Sequence, residues 1–180
     1  HLHSSKVGIL GRIAFPKLKI VYTVHGFDSI RIAYRQYLPL ERILQGYCKM
    51  IVGVSEYDGW NLRGEGIRRN VRVIYNGISI PCALGGDPFV GIRGYVRKVL
   101  CIARLSPPKK IDLFLEVATR LPRYAFISIG NQYEYTQEHP SNVFFMGSLH
   151  NAGAYNEYAD LFMLPSNYEG LPMTIIEAMA

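Results

Sequence analysis

Short apolar runs alternate along this chain with longer stretches of helical spacing. Residues 19–24 (KIVYTV), 50–54 (MIVGV) and 71–75 (VRVIY) are β-rich runs of strand length, ending at His25-Gly26, Ser55 and Asn76-Gly77. Between them, residues 30–47 and 56–66 read as helices, the second ending at Gly64 and Gly66. Residues 81–94 (PCALGGDPFVGIRG) break the pattern, with Gly and Pro and no apolar period, as a linker does. The alternation then resumes. Strands are predicted at 98–103, 124–129, 143–146 and 161–164, and helices at 111–121 and 151–159. Pro172 opens a last helix on which Ile175, Ile176 and Met179 face inward. Strands separated by helices predict parallel sheets built from βαβ units. The expected fold class is therefore α/β. Two Rossmann-like domains are expected, both incomplete, with 1–85 in the first, 86–97 as linker and 98–180 in the second.

In open α/β sheets ligands bind beyond the carboxyl ends of the strands. The residues that follow each predicted strand are thus the candidates for chemistry. In the first half these are His25-Gly26-Phe27-Asp28, Ser55-Glu56 and Asn76-Gly77. In the second they are Arg104 with Lys109-Lys110, Gly130-Asn131, Gly147-Ser148 and residues 165–172. The densest group is Ser166-Asn167-Tyr168-Glu169-Gly170-Leu171-Pro172, followed by Met173 and Thr174. Gly170 allows close backbone approach. A helix opening at Pro172 leaves the amides of Met173 and Thr174 as donors for an anion such as a pyrophosphate. Glu177, three residues after Thr174, shares its face. Glu169 precedes the anion site and Glu177 follows it, and carboxylates suit the hydroxyls of a sugar and a ribose.

Composition narrows the classes. Of the 180 residues 49% are hydrophobic and 19% charged, an ordinary globular balance. No apolar run approaches a membrane span. The net charge of +6 favours anionic partners, but Lys and Arg occur at most in pairs, so nucleic acid is not an expected partner. Three scattered cysteines form neither a metal pair nor a disulfide framework, which points to a reducing, cytoplasmic setting. The chain starts at His1 and reads as an internal piece of something longer. No D-x-D is present to bridge a diphosphate through a metal. No G-x-G-x-x-G follows a strand, and no Walker lysine occurs.

The segment NYEGLPMTIIEAMA resembles the E-x7-E signature of the retaining glycosyltransferases with the GT-B fold, the large family 4. HLHSSKVGILGRIA, YTVHGFD, LER, IVGVSE, VIYNGI, ARLSPPKKIDLFLEVA and NVFFMG are similar to its other motifs and stand in the same order. The resemblance implies that Glu169 holds donor-sugar hydroxyls and Glu177 the ribose. It implies that the backbone of Gly170, Leu171, Pro172, Met173 and Thr174 meets sugar and diphosphate. Arg104 and Lys109 match its Arg-Leu-x-x-x-Lys pattern, whose cations neutralise the departing diphosphate without a metal. Lys110 departs from the pattern, where Gly commonly stands. Phe145 and Gly147 resemble the stretch at the nucleobase, and His25 the histidine that faces the reacting sugar. Ser4, Lys6, Gly8 and Asn76 fall on the acceptor side. The implied reaction moves a hexose from a nucleotide sugar to a hydroxyl of a glycan or lipid-linked acceptor, with retention and no cofactor. The alternatives from other classes are a non-catalytic nucleotide-sugar-binding module and a sugar-nucleotide epimerase. A bacterial polysaccharide role and a peripheral association with the inner face of the membrane fit the same resemblance.

Overall fold

The computed structural model describes residues 1–15, 19–80, 82–131, 133 and 135–180. Pro81, at the head of the expected linker-like stretch, lies outside them. The chain packs as two compact units, His1–Asn76 with Tyr168–Pro172, and Gly77–Asn167 with Met173–Ala180.

In the first unit, β1 (Leu2–His3), β2 (Ile20–Val24), β3 (Cys48–Gly53) and β4 (Val71–Val73) form one parallel sheet in that order. β2 and β3 read as near-continuous apolar runs because Tyr22, Val24, Ile51 and Val52 are all buried, as in a covered parallel sheet. Phe27, Ile30, Leu38, Leu62 and Ile67 complete this core. α1 (Ser5–Ala14) follows β1, an element pair for which the apolar pattern gave no prediction. α3 (Glu56–Gly64) starts at Ser55, whose hydroxyl accepts from the Asp58 amide at 3.1 Å, a side-chain N-cap.

Residues 30–47 differ from expectation. Instead of one helix they form a π-turn (Ser29–Ala33), a 3-10 turn (Arg35–Tyr37), α2 (Leu38–Leu44) and a second 3-10 turn (Gln45–Tyr47). Tyr34 leaves the helical region (φ −125°, ψ 46°), and Pro39, which lacks an N–H, is tolerated only in the first turn of α2. A buried ion pair locks α1 to α2. Arg12 donates to Glu41 at 2.7 Å and to the Gly8 carbonyl at 2.7 Å, and its guanidinium lies 4.4 Å from the centre of the Tyr22 ring.

In the second unit, β7 (Val143–Phe145), β6 (Tyr124–Ile129), β5 (Arg97–Ile102) and β8 (Leu161–Phe162) form a parallel sheet in that order. Its faces separate by the period of two. Val99, Cys101 and Phe126 meet Phe114 and Ala118 of α4 (Ile111–Arg120) on one side. Leu100, Ile102, Ile127 and Ile129 meet Phe89 and the turns at Ala152–Tyr158 on the other. Phe89, in the segment 86–97 expected as linker, is thus a core residue of this unit, 1% exposed. The helix expected at 151–159 is a run of 3-10 turns (Ala152–Tyr158) entered through Asn151 in the left-handed region. Asn142 closes α4 by donating to the carbonyls of Ala118, Leu121 and Tyr124 at 3.0, 3.2 and 2.9 Å. α5 (Met173–Met179) follows Pro172, but Met179 is 82% exposed and Ile175 and Ile176 are only half-buried. The inward face expected of this helix is therefore only partly formed, by Ile175 and Ile176 and not by Met179.

Candidate functional site

The functional candidates of the first unit gather where β1 and β2 end. The register pairs His3 with Thr23, so the residues that follow both strands lie side by side. His25 follows β2, and Gly26 then turns the chain with φ +90°. Asp58, 1% exposed at the start of α3, holds this turn: its Oδ1 accepts from the Phe27 amide at 2.7 Å and its Oδ2 from the Ser55 hydroxyl at 3.1 Å. Burial raises the Asp58 carboxyl above its usual range against the pull of these donors. The partly covered ring of His25 has a lowered pKa. Desolvation is the main cause and His3 adds to it, while Asp58 opposes it.

The Tyr168–Pro172 segment packs into the same unit. Gly170 lies so close to Gly26 that a Cβ there would stand 2.5 Å from the Gly26 nitrogen, 2.9 Å from Val54 and 3.0 Å from Asp58 Oδ2. Asn76, half-buried after β4, donates to the Leu171 carbonyl at 2.8 Å. The structure therefore brings together His25-Gly26, Asn76 and the Glu169–Pro172 stretch, which lie far apart in sequence. Ser4 (φ 91°) and Lys6 are exposed at the start of α1. Gly8 faces Tyr22, where a Cβ would meet the ring at 2.5 Å. Gly8 thus serves packing in this structure.

In the second unit, Arg104 is exposed just after β5, and Pro107–Lys109 form a 3-10 turn. Lys110 takes the left-handed region (φ 52°, ψ 52°), and its ammonium pairs with Asp112 at 2.6 Å. That conformation explains why glycine suits this place. It also turns Lys110 to Asp112, whereas the charge of half-buried Lys109 acts on Cys101, a thiol that burial pushes up to about 12. Thr174 and Glu177 line a recess with Ile80, Ile102, Asn151 and Gly153.

Phe145 and Gly147 line a separate opening of about 580 Å³ with Asn131, Tyr135 and His139. Gly147, at φ +74°, donates to Asn131 Oδ1 at 3.1 Å and accepts from the Gly130 amide at 2.7 Å. Tyr135 stacks on Phe145 at 4.2 Å and 19°, and His139 meets the same ring edge-on at 5.2 Å. Planar faces of this kind suit a planar ring. Among the described residues no cluster of His, Cys, Asp and Glu fits a metal ion.

The apolar pattern did not reveal His3, Asp58 or Tyr135. Asp58 carried a local signal, since Ser55 followed three residues later by an acid is a capping pattern. His3 and Tyr135 carried none, because strand register and loop closure bring them into place.

The profile of the family described as Glycosyltransferase Family 4 matches residues 1–80, and that described as Glycosyl transferases group 1 matches residues 96–180. Among solved structures, the Anabaena protein HepE in complex with UDP-glucose superposes with a TM-score of 0.79 at 20% identity, over 98% of this chain and 55% of that one. This chain has the GT-B glycosyltransferase fold. The O-antigen biosynthesis glycosyltransferase WbnH of Escherichia coli is 38% identical over 97% of this chain and 53% of its own length. Another relative of the same organism is named UDP-Gal:alpha-D-GlcNAc-diphosphoundecaprenol alpha-1,3-galactosyltransferase. It is 28% identical over 100% of this chain and 54% of its own length. The GT-B chain described here thus spans about half the length of the curated relatives it matches. Among the described residues no helix is long and apolar enough to cross a membrane.

Proposed function

We propose that the protein to which this chain belongs transfers a hexose from a uridine-diphosphate sugar to a hydroxyl of a glycan or lipid-linked acceptor, with retention at the anomeric carbon. The observation that carries this reading is the seat of Gly170 against Gly26. It gathers His25 and the Glu169 segment at the carboxyl end of a parallel sheet, in a chain whose two halves match glycosyltransferase families. The uridine base is supported by the UDP-glucose bound to HepE and by the UDP-Gal in the name of the galactosyltransferase relative.

In this reading Glu169 accepts hydrogen bonds from the hydroxyls of the sugar, Glu177 from those of the ribose, and Phe145 with Gly147 receives the base. The backbone of Gly170 to Thr174 meets the sugar and diphosphate, with the Met173 and Thr174 amides as donors. Arg104 and Lys109 neutralise the charge that develops on the leaving diphosphate, which makes a metal unnecessary. His25 positions the sugar, and the acceptor hydroxyl attacks on the face that the diphosphate leaves, its proton passing to the departing phosphate oxygen as the anomeric C–O bond to the diphosphate breaks. Ser4, Lys6 and Asn76 lie on the acceptor side. A lipid-linked acceptor, named for the galactosyltransferase relative, would bring the protein to the inner face of the membrane as a peripheral partner.

The test is donor consumption by the intact protein with and without acceptor, in the presence of a chelator, with the product anomer read by NMR. The reading predicts acceptor-dependent transfer with retention, and its loss in Glu169→Ala. Interconversion of the donor sugar without acceptor indicates an epimerase, and tight donor binding without turnover a binding module. Either result overturns the proposal.

A further inference from the structure

Parallel pairing of β1 with β2 brings three imidazoles together beside the carboxyl ends of these two strands. His1 lies 4.1 Å from His3, ring to ring, and His3 lies 5.3 Å from His25 with the planes 22° apart. His1 Nε2 is anchored on the Thr23 hydroxyl at 2.7 Å. His3 Nδ1 stands 3.0 Å from His25 Nε2, a hydrogen bond between two imidazoles. Such a bond needs one N–H and one lone pair, so a single proton lies between the rings. Two imidazolium rings cannot make it. The direction of the bond also sets which nitrogen of His25 carries its remaining proton, because a neutral imidazole has only one.

We infer that His3 is a positioning residue: its hydrogen bond fixes the ring orientation and tautomer of His25, and the pair is competent only while it shares that one proton. The inference rests on the functional role proposed for His25. The titratable groups around the pair are His1 on the far side of His3, Tyr22 on β2, Asp58 at the start of α3, and Glu169 on the segment packed against Gly26. Asp58 favours protonation of His25, whereas burial and His3 disfavour it, and the last two prevail. As pH falls the pair takes up one proton and keeps its bond. The second proton breaks the bond and releases the His25 ring.

The experiment reads His25 directly. Two-bond ¹H–¹⁵N spectra of ring-labelled histidine are recorded on the intact protein as wild type, His3→Gln and His3→Phe, with pH profiles of donor consumption alongside. His3→Phe keeps a stacking surface without a hydrogen bond, and His3→Gln keeps a hydrogen bond without a titrating ring. The wild type is expected to show one neutral tautomer of His25. In His3→Phe that tautomer becomes a mixture, the titration midpoint of His25 rises because the lowering influence of His3 is gone, and the acid limb of kcat moves up with it. The kcat loss is about ten-fold in His3→Phe and smaller in His3→Gln, a partial rescue, with the donor KM little changed. An unchanged tautomer and midpoint in both variants overturns the inference. Full donor use by His25→Ala instead removes the role of His25, and the spectra still decide whether His3 orders its ring.

Discussion

Replacing Gly170 by alanine should displace the one loop that joins the candidate residues of the first unit. The new methyl would stand 2.5 Å from the Gly26 nitrogen, where ordinary contact begins near 3.4 Å. It would also stand 2.9 Å from Val54 and 3.0 Å from Asp58 Oδ2. The nearest obstacle is backbone, and that backbone is held by the Asp58 bond to Phe27, so neither side yields by rotating a side chain. The loop must instead move by roughly 1 Å, a misplacement that costs on the order of 100-fold in turnover. Overpacking of this kind costs about 1–3 kcal/mol of stability. The control is Gly64→Ala at the end of α3, where a methyl meets nothing within 4 Å and the helix gains propensity. Donor consumption and thermal melting of the three proteins provide the assay. Gly170→Ala with wild-type turnover and melting temperature would refute the packing argument.

Two further changes test the surrounding structure. Removing one partner of the buried Arg12–Glu41 pair, as in Glu41→Leu or Arg12→Met, should cost about 3–5 kcal/mol, and the double variant less than either single one. Denaturant melts of the full cycle decide it, and additive losses would contradict the coupling. Lys110→Gly relieves a left-handed residue at the expense of an exposed ion pair, and should raise stability by about 0.5–1 kcal/mol. A lower melting temperature would show that the Asp112 pair matters more than the backbone strain.

Most of the strands were legible in the sequence because a covered parallel strand is a short apolar run flanked by polar punctuation. Tyr124–Ile129 matches its expected bounds, and Ile20–Val24 and Arg97–Ile102 lie within one residue of theirs. The helices were less legible. Apolar spacing over 30–47 and 151–159 marks which residues face the core, but not which hydrogen-bond pattern carries them, and Pro39, Tyr34 and Asn151 redirect the backbone. β1 escaped notice because two residues carry no periodicity. Glu169, Gly170 and His25 could be picked out as polar or glycine residues at strand ends. The partners that hold them could not. Asp58 reaches Phe27 across 31 residues, and His3 reaches His25 across 22, through contacts that only the sheet register creates.

In the proposed reaction Arg104 and Lys109 take up the charge of a departing nucleoside diphosphate without a metal. The most direct test of this is the turnover of a uridine-diphosphate hexose by the intact protein in chelator, as wild type, Arg104→Ala and Lys109→Ala. Full activity is expected of the wild type, and a loss of about 100- to 1,000-fold in kcat of each variant. Wild-type turnover in both variants, or a wild type that is silent until a divalent cation is added, would contradict it.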